Sequence, residues 1–246
     1  MHICDSIFIG KEEGNKMKIK KIGKMNEVAW VLGIVLCALG VCLCTKADFG
    51  LSMVAAPPYI LHLKMSTYFS WWTQGTSEYI WQGFLLLLMC IILRRFKGKY
   101  LLCFATAVLS GLVLDGWFWV FGGNGAYESL QMRIISFVLG ELIITLAIAF
   151  CFKTSMPLQI YELFVMQVAE KRNVPVHRVK PIFDIVMLVI SVALAFLLTG
   201  GFNGIGIGTV VIAFVNAPLI RLFTKLIDTA FTFEPRFAKL IDMLKV

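Results

Sequence analysis

The sequence predicts an all-α, polytopic membrane helix bundle with six spans and two short half-helices, arranged as an inverted repeat of three plus three spans. Three observations predict this class. First, 59% of the 246 residues are hydrophobic and 15% are charged, whereas an ordinary soluble domain is about 25% charged. Second, six apolar runs are each close to the roughly 20 residues that a spanning helix needs. Third, the basic residues collect on one side of those runs.

The six apolar runs define the spans in chain order. They are Val28–Cys44, Ser77–Leu93, Tyr100–Phe121, Met132–Phe152, Pro181–Thr199 and Ile205–Phe223. The first run has a basic flank, as a signal peptide does. However, Leu36 and Val41 precede two of its cysteines, which does not fit a lipoprotein cleavage site, and no other small-residue site follows. We therefore expect this run to be retained as a span.

The Lys and Arg residues predict the orientation of these spans. With six spans, 20 of the 23 basic residues fall on one side, and Lys46, Lys64 and Arg133 fall on the other. Because cytoplasmic loops are enriched in Lys and Arg, both termini are expected in the cytoplasm. The net charge of +8 then follows from membrane orientation. The expected partners of the basic side are anionic lipid headgroups of the bilayer, and no nucleic acid is expected.

Three parts of the chain follow from this assignment. They are a mobile basic arm at residues 1–27, a six-span membrane domain at 28–226 with repeat halves at about 28–121 and 132–226, and a cytoplasmic tail at 227–246. Met17 precedes a basic run and is an alternative start to Met1. The sequence has seven cysteines, an odd number, and most of them lie in apolar runs. We expect them to be small apolar helix residues, with no disulfide framework and no metal site.

Two short polar segments occupy corresponding places after the first and fourth runs. Lys46 and Lys153, which precede them, are 107 residues apart, and the second and fifth spans begin 104 residues apart. Because each half has three spans, the second half enters the membrane from the other side, as in many secondary transporters. Prolines interrupt helical hydrogen bonding in both segments. We expect half-helices around Asp48–Tyr59 and Met156–Glu162 that line a path; the alternative is two amphipathic surface loops with a chance offset.

A family resemblance rests on three short motifs. They are Thr45–Ser52 after the first span, Gly204–Thr209 before the last span, and Asn216-Ala217-Pro218 within it. Together they resemble the YczE-like branch of the YczE/YitT group of bacterial integral membrane proteins, over roughly Val28 to Phe223. The resemblance implies a multi-pass protein of the bacterial cytoplasmic membrane whose biochemical role is unsettled and which is often described as a transporter candidate. After Ser52, this sequence departs from the more polar Pro-Trp stretch usual in the group.

Four carboxylates fall within or beside the apolar runs, where an ionisable residue costs at least about 2.5–3.5 kcal/mol and marks a functional hypothesis. Glu141 lies near the middle of the fourth span, and we expect it to be the coupling or binding carboxylate. Asp115 either contributes to the site or pairs with Arg133. Asp184 is expected to pair with Lys180 at i, i+4. Glu162 either lines a vestibule or faces solvent.

The glycine-rich stretch before the last span has two interpretations. Its spacing does not match a dinucleotide fingerprint, and a membrane span precedes it. Gly206, Gly208 and Thr209 begin a helix whose free backbone N–H groups can bind an anion or carboxylate. The alternative is close helix packing through Gly204 and Gly208. Asn203 and Asn216 are polar groups that fit either role.

No catalytic motif is present, since the sequence lacks HExxH, GxSxG and a P-loop. We expect no enzyme activity, no cofactor and no metal. The Trp residues near the span ends fit an interfacial aromatic belt. The sequence thus predicts a transporter of an unidentified small solute that uses alternating access. The alternative is a non-transporting membrane partner or assembly factor, and a homo-oligomer is left open.

Overall fold

A computed structural model describes residues 26–123, 125–154, 157 and 159–230 of the chain. Within these residues every regular element is helical. The predicted N-terminal arm lies outside the described residues, apart from Asn26 and Glu27, as do Met156 and residues 231–246 of the predicted tail. The predicted tail boundary at residue 227 falls inside the last helix, which continues to Ala230.

Six of the described helices are long and apolar enough to cross a membrane, which confirms the predicted bundle. They are α1 (Asn26–Ala47), α3 (Gln74–Leu93), α4 (Tyr100–Val120), α5 (Leu130–Lys153), α7 (Val176–Leu194, continued by a π-helical turn at Ala195–Thr199) and α8 (Ile207–Ala230). Two shorter helices, α2 (Ala56–Met65) and α6 (Ile160–Arg172), follow α1 and α5. The chain is therefore a multi-pass membrane protein.

The spanning helices alternate between two faces of the bundle. We call the face at which α1 begins the basic face, because the connection containing Arg94, Arg95, Lys97 and Lys99 lies there. At the opposite face, the end of α1 meets the start of α3, where Gln74 Nε2 donates to Thr45 Oγ1 at 3.3 Å. The same face holds the connection from α4 to α5, since Tyr127 N donates to Lys46 O at 3.0 Å.

Helices α1 and α5 cross at the centre through a pair of glycines. A Cβ added at Gly40 would lie 2.7 Å from Gly140 O, and one added at Gly140 would lie 2.9 Å from Gly40 O. The contact continues reciprocally, because Gly40 also faces Ile144 and Gly140 also faces Cys44. Small residues let the backbones of membrane helices approach closely. The two first helices of the predicted halves therefore pack directly on each other.

The remaining helices pack around this centre in matched pairs. Helix α4 packs on α1 in the first half, and α8 packs on α5 in the second. Within each half the short helix packs on the span that follows it, α2 on α3 and α6 on α7. Each short helix also packs on the corresponding span of the other half, α6 on α3 and α2 on α7. The most extensive pairing without a match is that of α4 on α3, because α7 and α8 share no comparable interface. Helix α8 is correspondingly exposed. In its most apolar stretch 11% of the residues are buried, compared with 39% in α4.

Candidate functional site

Helix α6 re-enters the bundle from the basic face. Helix α5 ends at that face, yet the backbone N–H of Ile160 at the start of α6 donates to Gln82 Oε1 at 3.1 Å, in the outer half of α3. At the other end of α6, Lys171 Nζ donates to Ile92 O at 2.8 Å, beside the last turn of α3. The chain therefore turns inward after α5, and α6 runs back to the basic face alongside α3.

Helix α2 makes the mirrored excursion from the opposite face. The backbone carbonyl of Met53, just before α2, accepts a 3.5 Å hydrogen bond from the hydroxyl of Ser191, eight residues before the end of the π-helical turn that continues α7. Further along α2, Ile60 packs with Ala195 of the π-helical turn that ends α7. Helix α2 thus runs outward alongside α7. Two short helices follow the first and fourth spans as predicted, but the predicted bounds are wrong, since among the described residues of the predicted segments only 56–59 and 160–162 are helical and the helices continue to Met65 and Arg172.

The segment that leads into α2 and the start of α6 border the same buried cluster. Met53 and Val54, which lead into α2, pack against the core that contains Ile160, Tyr161 and Phe164 of α6. At the start of α2, Pro57 and Pro58 have no backbone N–H to offer a ligand. At the start of α6, the Ile160 N–H is already bound by Gln82. Polar side chains therefore determine the chemistry of this central region.

Three side chains form a polar network at the junction of α3 and α6. The Tyr161 hydroxyl donates to Glu78 Oε1 at 2.9 Å, and Gln82 Nε2 donates to the same oxygen at 3.0 Å. Gln82 in turn holds the start of α6 through its Oε1. Glu78 was not among the predicted site residues, although Glu78 and Gln82 are spaced i, i+4 in the second span. That spacing puts two polar residues on one helix face and could have identified them.

Glu141 is the most deeply buried carboxylate that the sequence singled out. Its residue is 5% exposed, and neither carboxylate oxygen has a hydrogen-bond partner within the described part of the chain. It follows Phe137 by one turn of α5, and Phe137 contacts Gly208 of α8. Glu141 therefore lies inside the bundle, away from the Glu78 network, and its role stays a prediction.

Asp115 stabilises the start of α3. Its two oxygens accept hydrogen bonds from the Thr73 hydroxyl at 2.7 Å and from Gly75 N at 2.8 Å, so it satisfies a donor that the helix leaves free. The alternative that Asp115 pairs with Arg133 is wrong. Arg133 instead donates to Ala47 O and Asp48 O, both at 2.8 Å, and forms a 3.2 Å ion pair with Asp48.

The end of α1 carries a buried cation that the sequence did not single out. Lys46 is 4% exposed, and its Nζ donates to Gly123 O at 2.9 Å and Gly125 O at 3.0 Å. With Arg133, it places positive charge where a helix leaves carbonyl groups unpaired. Nearby in α2, burial lowers the pKa of His62, and the Thr73 backbone and Asp115 oppose that shift.

The glycine-rich stretch packs against the segment that follows α1. Gly208 N donates to Phe49 O at 2.8 Å, Gly206 N donates to the Thr209 hydroxyl at 3.3 Å, and Leu51 N donates to Gly204 O at 3.0 Å. A Cβ at Gly206 would clash with Phe49 O. The N–H groups of Gly206 and Gly208 are therefore used within the protein, which favours the packing alternative over anion binding.

The other predicted residues are dispersed over the bundle. Asn203 is exposed between α7 and α8, whereas Asn216 is half-buried in α8 and its Oδ1 has no partner among the described residues. Glu162 is half-buried in the first turn of α6. The expected pair between Lys180 and Asp184 is confirmed at 2.9 Å. The structure therefore does not gather the predicted residues into one site.

The cysteines within the described residues are unpaired, as the sequence predicted. They are Cys37, Cys42, Cys44, Cys90, Cys103 and Cys151. No group of three or more His, Cys, Asp or Glu residues that could hold a metal ion occurs in this part of the chain.

Comparisons with known proteins give a family and no activity. The model of one family, described as a family of unknown function (DUF6198), matches residues 24–225 and so covers all but the last few residues of the six spans. No curated protein and no solved structure matches the chain.

Proposed function

We propose that this protein, which belongs to DUF6198, a family of unknown function, carries a small solute across the membrane by alternating access. The observation that carries the proposal is that two half-helices, one from each face, begin beside one buried cluster inside the bundle, next to the Glu78 network. Irregular backbone at membrane depth is tolerated where protein buries it or water reaches it. Discontinuous helices that meet near the midplane are typical of transporter binding sites.

The proposal includes an inverted repeat, which the matched helix pairs support. The reciprocal contacts of Gly40 and Gly140 relate α1 to α5 by a shift of 100 residues. At that shift Leu39-Gly40, Thr45 and Ala47 recur as Leu139-Gly140, Thr145 and Ala147. The shift differs from the 107 residues between Lys46 and Lys153, because α5 continues 13 residues beyond Gly140, whereas α1 continues only 7 beyond Gly40.

The unmatched helix pair supports two alternating conformations. Helices α3 and α4 pack together, whereas their counterparts α7 and α8 do not. In an inverted repeat, exchanging the conformations of the two halves generates the state open to the other side. We propose that in this second state α8 closes on α7 while α4 moves away from α3. An interface that forms in one half and opens in the other would alternate access to the central cluster.

The orientation and location belong to the same proposal. We propose that the basic face is cytoplasmic, with both termini on that side, in the cytoplasmic membrane of a bacterium, because Lys and Arg dominate that face. Affiliation with the YczE-like group is proposed from the motifs Thr45–Ser52 and Gly204–Thr209.

A solute screen followed by an uptake assay tests transport. The purified full-length chain is screened by thermal shift against cationic, anionic and neutral metabolites, and each stabilising solute is then tested for uptake into proteoliposomes. We expect uptake of at least one solute and its loss in Glu78→Gln, while Glu128→Gln, at an exposed loop position, retains uptake. If no solute stabilises the chain and Glu78→Gln leaves cellular phenotypes unchanged, the proposal fails in favour of a non-transporting membrane partner.

A further inference from the structure

Two unpartnered oxygen-bearing side chains lie on adjoining helices. Both carboxylate oxygens of Glu141 in α5 and the Oδ1 of Asn216 in α8 are buried without a hydrogen-bond partner among the described residues. We propose that α5 and α8 bind a monovalent cation between Glu141, Thr145 and Asn216. This proposal assigns a coupling ion to the transporter proposed above, although cation binding itself does not depend on transport.

The helix register puts these residues at one level of the bundle. Helices α5 and α8 run side by side from the contact of Phe137 with Gly208 to the 2.9 Å ion pair of Lys153 with Asp228. Thr145 follows Phe137 by eight residues, and Asn216 follows Gly208 by eight. At about 1.5 Å per residue, both are about 12 Å further along their helices. Glu141 lies one turn before Thr145 on the same helix face.

Asn216 is on the side of α8 that faces α5. Gly208, Ile212 and Asn216 recur every four residues, and Ile212 is 3% exposed. Phe214, on the other side of α8, is 76% exposed. A spacing of four keeps residues on one helix face, so the amide of Asn216 shares the buried side of α8 with the glycine that contacts α5.

The chemistry of this group fits a cation better than an anion or a neutral ligand. The hydroxyl of Thr145 donates its proton to the backbone carbonyl groups of Glu141 and Leu142, at 2.9 and 3.0 Å. Its oxygen can therefore act only as an acceptor or a cation ligand. The three residues thus present carboxylate, amide and hydroxyl oxygens, the ligands of hard cations. An isolated buried carboxylate must be neutralised. One carboxylate balances one positive charge, which Na⁺ or a proton can supply.

The neighbouring titratable groups add little charge of their own. On α1, Cys44 Sγ would lie 2.7 Å from a Cβ at Gly140, so a thiol faces the turn before Glu141. From α2, Tyr59 packs in the same cluster as Ile144 and Ile148. On α8 itself, the next charged residues are Arg221 and Lys225, which follow Asn216 by five and nine residues and are exposed. Arg133, two turns before Glu141 on α5, is paired with Asp48 at 3.2 Å, so this pair adds no unbalanced charge beside Glu141.

A bound cation would strengthen the α5–α8 interface, on which the position of α8 depends. Helix α8 packs on α5 and shares no comparable interface with α7. Binding at Glu141 and Asn216 would stabilise the present packing of α8 on α5, and release would permit its proposed movement toward α7. The ion would thereby be coupled to the alternation of the two halves.

Thermal unfolding of the full-length chain in lipid nanodiscs tests the site. Unfolding is measured in NaCl, KCl and N-methylglucamine chloride at equal ionic strength and at several pH values, and infrared difference spectra report protonated carboxyl groups. An alkali-ion site raises the melting temperature of the wild type in NaCl alone or in NaCl and KCl, and Glu141→Gln abolishes that rise. A proton site gives no salt-specific shift but a pH-dependent carboxyl band that Glu141→Gln removes.

Matched variants separate binding from folding. Asn216→Leu should raise the cation concentration needed for half of the response by at least about tenfold, as the loss of one good ligand would. Glu128→Gln, at the exposed loop, should leave that concentration unchanged. If the wild type shows no salt-specific shift and Glu141→Gln removes no titrating carboxyl band, no cation is bound and the proposal is overturned. Because these measurements need no transported solute, their failure would leave the transport proposal standing.

Discussion

The hydroxyl of Tyr161 donates to the carboxylate of Glu78 across 83 residues of sequence, at 2.9 Å, and so ties the first turn of α6 to α3 inside the bundle. Together with the bond from Ile160 N to Gln82, it holds a half-helix with its beginning at depth and its end at the basic face. Without these contacts, the polar start of α6 would have no partners in an apolar region.

Removing this hydroxyl should loosen α6 without unfolding the bundle. A hydrogen bond to a charged group contributes about 1.5–3 kcal/mol, so Tyr161→Phe should lower the melting temperature by several degrees, at about 2–4 °C per kcal/mol for a chain of this size. Hydrogen exchange should accelerate at the start of α6. Tyr68→Phe, at a residue that is 67% exposed, is the control. Equal exchange in both variants would contradict the assigned role of Tyr161.

The glycine crossing of α1 and α5 should tolerate no side chain. Gly140→Ala would put a Cβ 2.9 Å from Gly40 O and 2.7 Å from Cys44 Sγ, and overpacking of this kind costs about 1–3 kcal/mol. We expect a lower melting temperature in detergent. Gly116→Ala in α4, where nothing lies within 4 Å of the added Cβ, should be neutral or stabilising, since alanine favours helix. Equal effects of the two substitutions would exclude a close α1–α5 crossing.

Asp115 and Arg133 should contribute independently, because they bind different partners. Asp115→Ala removes the acceptor for Gly75 N and the Thr73 hydroxyl, at an expected cost of about 1–2 kcal/mol. Arg133→Gln removes the donors to Ala47 O and Asp48. In a double-mutant cycle the two losses should add within about 0.5 kcal/mol. A larger interaction energy would restore the direct pairing that the sequence left open.

The sequence predicted the spans well, because length and apolarity determine a membrane helix almost alone. The predicted span Val28–Cys44 corresponds to α1 at Asn26–Ala47, and short helices follow the first and fourth spans. The Lys180–Asp184 pair was also predicted, since it depends only on helix periodicity. Such features are local, and sequence spacing specifies them directly.

The partners of the polar residues could not be predicted in the same way. Tyr161 meets Glu78, and Asp115 meets the start of α3, only because non-adjacent helices pack together. Glu78 was not singled out, because it lies four residues into α3 beside aromatic residues typical of an interface. The sequence predicted an inverted repeat, but the 100-residue shift that we propose between α1 and α5 depended on the contact of Gly40 with Gly140.

Distances between spin labels in lipid nanodiscs test the exchange of conformations between the halves most directly. One label pair joins α7 and α8 at Val189 and Phe214, and the other joins α3 and α4 at Leu87 and Leu112, all exposed positions, in a chain whose seven cysteines are replaced. We predict two distances for each label pair. When conditions or a transported solute shift the equilibrium, the population with the shorter α7–α8 distance and the population with the longer α3–α4 distance should increase together. A single, unchanging distance for both pairs would contradict alternating access.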